Sequence, residues 1–140
     1  MSSATANQAE ERTNPAMRLD LVPGQIVQEV GYDEDVDQDL REGIESLTGQ
    51  DLVDEDYNDV ADAVLLWFRS EDGDLTDALI DAIGLLDEGG VIWILTPKEG
   101  RDGYVEPGDV SDAAHTAGLA QTKPVSAGRD WSGSRLVNAR

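Results

Sequence analysis

Carboxylates dominate the chemistry that this chain offers. Asp33, Asp35, Asp37 and Asp39 alternate in one short run, and Ser70-Glu71-Asp72-Gly73-Asp74 forms a second acidic knot. Both invite a divalent-ion reading, yet neither has a Gly at the sixth position and a Glu at the twelfth of a calcium loop. Alternate residues of a helix point in different directions, so capping and solvation explain the first run, and a turn with a cap explains the second. His115 is the only histidine and cysteine is absent, which removes His-based and thiolate metal sites and any disulfide. No serine sits in a GxSxG elbow, and neither GxGxxG nor GxxxxGK[ST] occurs. The residues therefore nominate no catalytic group and no metal site. What remains is a pair of cations, Arg69 and Lys98, each just beyond an apolar run. Side by side they could receive a carboxylate, or they could neutralise the acidic residues around them.

The formal net charge is −20 over 140 residues. It is concentrated between Glu29 and Asp77, where 18 acidic residues face only Arg41 and Arg69. Such a field repels nucleic acid, anionic lipid and phosphorylated ligands, and attracts cations or basic protein surfaces. Three readings stay open: a solvated, solubilising face, a docking surface for a basic partner, or a divalent-ion site. No apolar run approaches a membrane span, and MSSATANQAEERT has no apolar core for a signal peptide, so a cytoplasmic location is expected. Residues 1–13 read as a disordered tail and 14–140 as one domain.

The elements that must position these groups follow from periodicity. Asn14-Pro15 opens a short helix presenting Met17 and Leu21, and Gln25–Val30 between two glycines reads as the first strand. Val36, Leu40, Ile44 and Leu47 give the next helix a narrow apolar stripe, with Asp33 or Asp35 as cap and Gly49 as stop. Gln50–Val53 is a weak second strand. Ala63–Phe68 is apolar on both faces, as suits a central strand. A helix with Leu75, Leu79, Ala82, Ile83 and Leu86 on one face then leads through Gly89-Gly90 into the doubly apolar Val91–Thr96. Two such strands joined by one helix form a right-handed parallel βαβ unit. A Gly-rich loop, a helix from Pro107 to Gly118, and strands Leu119–Ser126 and Trp131–Val137 complete the chain. Trp67 and Trp93 read as core; Trp131 is equally suited to a buried anchor or a partner contact.

In this order LVPGQIVQEVG, ADAVLLWFR, LIDAIGLLDEGGVIWILTPK and the closing WSGSRLV resemble a truncated class I S-adenosylmethionine-dependent methyltransferase (Rossmann-like) fold. More narrowly, IVQE, VLLW, GGVIWILTPK and WSG resemble a short acidic actinobacterial family of uncharacterised function. The resemblance implies an α/β three-layer sandwich of about six strands in order 2-1-4-5-7-6, ending in an antiparallel hairpin. It also implies a ligand cleft at the carboxyl ends of the strands. If that cleft is retained, Gly31 would approach the cofactor, Asp54 would hold its ribose, and Arg69 would stand after the fourth strand. The match departs from the pattern where it matters. Gly31 is alone, followed by Tyr32-Asp33-Glu34-Asp35, and the third strand with its helices has no room between Asp54 and Ala63. Bound S-adenosylmethionine is therefore not expected. The expectation is a non-catalytic interaction or regulatory protein docking basic partners through an acidic face; the alternative is a small-molecule binder or methyltransferase-like enzyme using the cleft. A thinly covered sheet face would favour a homodimer.

Overall fold

The computed structural model describes residues 14–139; the tail expected over residues 1–13 lies outside the described residues. Five strands form one sheet in the order β1-β2-β3-β5-β4, with β1 Val27–Val30, β2 Ala61–Trp67, β3 Leu86–Pro97, β4 Leu119–Ser126 and β5 Trp131–Asn138. The first three run parallel and the last two pair antiparallel. Outside β1, Val53 makes a single parallel bridge to Gln28. The expected order thus holds, with its second strand reduced to one position. The acidic turn that follows stops the strand, since Tyr57 N–H already donates to Asp54 O at 3.1 Å.

Alternation along β2 and β3 divides the core. Ala63, Leu65, Trp67, Trp93 and Leu95 face one side, while Val64, Leu66, Phe68, Ile92 and Ile94 face the other. The second side is closed by α2 (Leu75–Ile83) and α3 (Pro107–Thr116), through Leu79, Ala82, Val110 and Ala114. The first is closed by α1 (Gln38–Thr48) and by a 3₁₀ helix, Pro15–Leu19. Each buried aliphatic side chain here is worth about 1.5–3 kcal/mol relative to exposure. In the 3₁₀ helix Met17 is exposed, and Ala16 and Leu19 are the residues turned inward.

The thin covering expected on that first face is not what the described residues show. Asn14 Nδ2 donates to Gly43 O of α1 at 3.2 Å, and Trp93 Nε1 donates to Leu19 O at 3.0 Å. The short helix is thus pinned over the sheet, and the face carries three tryptophans. The elements expected to cover that face are the ones present, and its core residues are buried.

Helix boundaries correct two expectations. Asp37, not Asp33 or Asp35, caps α1, its Oδ1 accepting from Leu40 N–H at 2.9 Å. Residues 33–36 are already a turn, with Val36 N–H donating to Asp33 O, and the Asp35 carboxylate is engaged elsewhere. Gly49 ends α1 in the left-handed region at φ 72°, as a glycine stop should. Leu86 does not extend α2. It starts β3 opposite Ala61, and residues 87–90 bulge outward before pairing resumes at Val91 opposite Ala63.

Candidate functional site

The parallel strands β1 and β2 deliver Gly31 and Arg69 to the same end of the sheet. Gly31 has φ 83°, and a Cβ there would collide with the carbonyl oxygen of Trp67, so only glycine allows the two strand ends to approach this closely. Arg69, 6% exposed, fills the space between them. Its Nη1 donates to Gly31 O at 2.8 Å, to Trp67 O at 3.3 Å and to Asp72 Oδ2 at 3.3 Å. Its Nε donates to Asp35 Oδ2 at 3.0 Å, and its Nη2 makes a short contact with Asp35 Oδ1. The Trp131 ring lies under the guanidinium, 5.2 Å from its centroid, and Trp131 Nε1 donates to Asp35 O at 3.3 Å.

This arrangement is a buried cation closed by two partly exposed carboxylates, Asp35 at two points and Asp72 at one. The hydrogen bonds from Arg69 pull the Asp35 carboxyl below its ordinary value, against an opposing effect of burial. The hydrogen bond to Asp35 likewise pushes Arg69 further up, against desolvation. Five segments meet at this one side chain. They are the end of β1, the β1–α1 loop, the β2–α2 loop, the β3–α3 loop and the β4–β5 hairpin. The β3–α3 loop contributes Gly103, whose carbonyl accepts from Ser70 N–H at 2.9 Å and whose φ of 84° places it against the Arg69 stem.

A second ion pair lies one layer in. Glu29, 6% exposed on β1, accepts from Arg41 Nε at 2.7 Å, from Arg41 Nη2 at 2.9 Å and from Trp67 Nε1 at 2.8 Å. Arg41 in turn sits over the Tyr32 ring, 4.7 Å from its centroid. Both cations of the acidic segment are therefore spent on internal carboxylates. Trp67 and Trp131 meet edge to face at 4.8 Å, which joins the two ion pairs into one assembly.

Of the three nominated residues, Gly31 and Arg69 are brought together and Asp54 is not. Asp54 turns its Oδ1 back to Asp56 N–H at 3.0 Å, and its carbonyl accepts from Gln28 Nε2 at 3.0 Å. It lines a neighbouring cleft of about 320 Å³ with Glu29, Tyr32, Arg41 and Glu55. Lys98 is also apart from Arg69: its Nζ donates to Ser126 Oγ at 2.8 Å, in the hairpin. A joint Arg69–Lys98 carboxylate receptor is thus replaced by separate internal pairings, because Asp35 and Asp72 reach Arg69 first. Trp131 is a buried anchor, and His115 is exposed on α3. Among the described residues no group of three or more potential ligands could hold a metal ion, and no helix is long and apolar enough to cross a membrane.

Sequence reasoning missed the roles of Asp35, Glu29 and Gln28. A usable signal existed for Glu29, a carboxylate at an inward position of β1, which requires a cation from the helix packed above it. Arg41 is the only candidate there. For Gln28 no sequence signal exists. It is fully buried, spends its amide donors on Asp54 O and Tyr57 O, and leaves Oε1 without a partner.

Comparison with known proteins places this geometry in context. A family model described as "Protein of unknown function (DUF3052)" matches residues 16–140. Uncharacterised proteins of Mycobacterium tuberculosis and Mycobacterium bovis are 49% identical over 137 residues, covering 98% of this chain and 86% of theirs. Among solved structures, the pyocyanin biosynthetic protein PhzM is similar with a TM-score of 0.67 at 14% identity; the match covers 96% of this chain and 56% of PhzM, little more than half its length. A SAM-dependent methyltransferase from Aquifex aeolicus is similar with a TM-score of 0.52 at 16% identity, covering 97% of this chain and 98% of its own. The CcbJ methyltransferase from Streptomyces caelestis gives 0.59 at 12% identity, covering 94% and 90%. At such identities these likenesses describe a methyltransferase-like scaffold and nothing about activity.

Proposed function

The chain belongs to the DUF3052 family, and on that premise we propose that it is a non-catalytic docking or regulatory protein on a methyltransferase-like scaffold, receiving a basic partner on the acidic rim at its strand ends. The observation that carries this reading is the Arg69–Asp35 pair. The fold's ordinary ligand position is the crevice beyond the carboxyl ends of the parallel strands. Here a guanidinium, its carboxylate and the Trp131 ring occupy the part of that crevice between the ends of β1 and β2. Around the filled centre stand Asp33, Glu34, Glu55, Asp56, Glu71 and Asp74, all exposed. With Arg41 and Arg69 turned inward, nothing between Glu29 and Asp77 offsets this rim from outside, so it draws cationic surfaces at a rate that falls with ionic strength.

Two measurements test the reading together. Calorimetry with S-adenosylmethionine and S-adenosylhomocysteine is expected to give no saturable heat, and tight binding of either would overturn it in favour of an enzyme. Anisotropy of fluorescein-labelled hexalysine at low ionic strength is expected to report binding that Asp33→Lys with Glu55→Lys abolishes. The same reversal at Asp109 and Asp112 on α3 should cost little. Equal losses from the two pairs would mean that the rim is not the docking surface.

A further inference from the structure

The segment between Asp54 and Val60 carries no helix, and it covers the outer part of β1 only as a loop. Between this loop and α2 the surface opens into a groove of about 320 Å³. Val30, Leu66, Phe68 and Ala78 supply its apolar floor, and Gly31, Trp67 and Arg69, the last already paired with Asp35 and Asp72, also line it. The floor lies on the side of the sheet packed by α2 and α3. Its rim is anionic. Asp33 and Glu55 both line it, and Tyr32, 53% exposed, forms part of the wall.

The two rim carboxylates keep capacity for a cation. Asp33 accepts from Glu34 N–H at 2.7 Å through Oδ1, and Glu55 accepts from Gly31 N–H at 3.2 Å through Oε2. Among the described residues neither carboxylate is paired with a cation. Asp72, which also borders the groove, is committed to Arg69.

A groove with an apolar floor, an aromatic wall and an anionic rim complements one kind of side chain. Lysine and arginine carry a run of methylenes that buries against apolar surface and a charged head that stays at the polar edge. We infer that this groove receives a single lysine or arginine side chain of the basic partner, its stem on Phe68 and Ala78 and its head between Asp33 and Glu55. The inference rests on the docking reading above and adds the anchor residue to it. Charge complementarity selects the occupant: an apolar anchor would strip water from two carboxylates without replacing their contacts.

The test uses the intact protein and hexalysine. Ala78→Leu fills the floor without altering charge, and burial of two or three methylenes predicts that it weakens hexalysine roughly tenfold or more. Glu55→Gln removes one rim charge and should weaken binding clearly more than Asp81→Asn, an equal charge change on the outer side of α2. Unfolding midpoints of each variant establish that the fold is kept; should Ala78→Leu fail to fold, the comparison of Glu55→Gln with Asp81→Asn decides alone. Unchanged affinity in Ala78→Leu, or equal losses from Glu55→Gln and Asp81→Asn, would overturn the anchor. If Ala78→Leu has no effect while reversal of Asp33 and Glu55 still abolishes binding, the anchor fails and the docking surface stands. If that reversal has no effect either, the docking reading fails with it.

Discussion

Arg69 and Asp35, 34 residues apart in sequence, form a two-point ion pair in which Nε and Nη2, along one edge of the guanidinium, donate to the two oxygens of one carboxylate. The two partners are not equivalent. The Arg69 side chain is 8% exposed and the Asp35 side chain 53%. Without Asp35 the buried guanidinium still has Asp72 and two carbonyls about it, whereas without the guanidinium those carbonyls and both carboxylates lose their shared donor.

That asymmetry orders two substitutions. Arg69→Met also strands the carbonyls of Gly31 and Trp67, and should cost about 3–5 kcal/mol in urea unfolding. Asp35→Asn keeps the shape and some hydrogen bonding, so about 1–2 kcal/mol is expected after solvent screening of the exposed partner. A reversed order would mean that Asp35, not Arg69, holds the strand ends together.

The acid limb of stability should carry the mark of Asp35. Its folded pKa lies below the ordinary 3.8, so the unfolded chain takes up the proton first as pH falls. The contribution is complete above the unfolded value and is lost as pH falls through the folded one, below about pH 4. Comparing acid unfolding of the wild type with Asp35→Asn isolates this part from the protonation of the other carboxylates. The two curves should converge at the acid end, and a constant gap down to the lowest pH would count against the assignment.

Glu29→Gln is expected to be among the most damaging changes that alter no volume. It removes the charge and turns one of the two oxygens that accept from Arg41 and Trp67 into an NH2 donor, at a position almost free of solvent. A loss of about 2–4 kcal/mol should accompany a shift in Trp67 emission. Arg41→Met in the same background should then cost little further, because the pair acts as a unit.

Gly31→Ala tests the close approach of β1 and β2. A positive φ and a backbone oxygen in the path of the new methyl both oppose the change, for a combined cost of about 2–4 kcal/mol. Thermal unfolding measures it directly. Gly24, also at positive φ but with open space around it, should lose only about 1–2 kcal/mol on the same substitution.

The strand order was legible because each central strand announces itself locally. AVLLWF and VIWILT are apolar on both faces, and their linking helix has the length of a right-handed crossover. The site was legible only in part. Gly31 and Arg69 follow from strand ends, which topology alone brings together. Asp35 could not be chosen over Asp33 and Asp37, because local chemistry makes all three equally good caps. Which of them meets Arg69 is decided by how far the β1–α1 loop reaches before α1 begins. Asp54 stands apart from that pair for a local reason: the acidic turn engages its Oδ1 at Asp56 N–H.

The sheet order has a consequence for how this chain is made. β5 follows β4 in sequence but lies between β3 and β4, so β4 has no edge to join until β5 exists. A nascent chain ending near Ser126 would hold the β3 edge open along Val91–Pro97, with Trp131 still missing from beneath Arg69. Such an edge, apolar and unpaired, is the kind that captures another strand during synthesis. Emergence of β5, rather than of the parallel strands, is then the moment at which this sheet becomes safe from its neighbours.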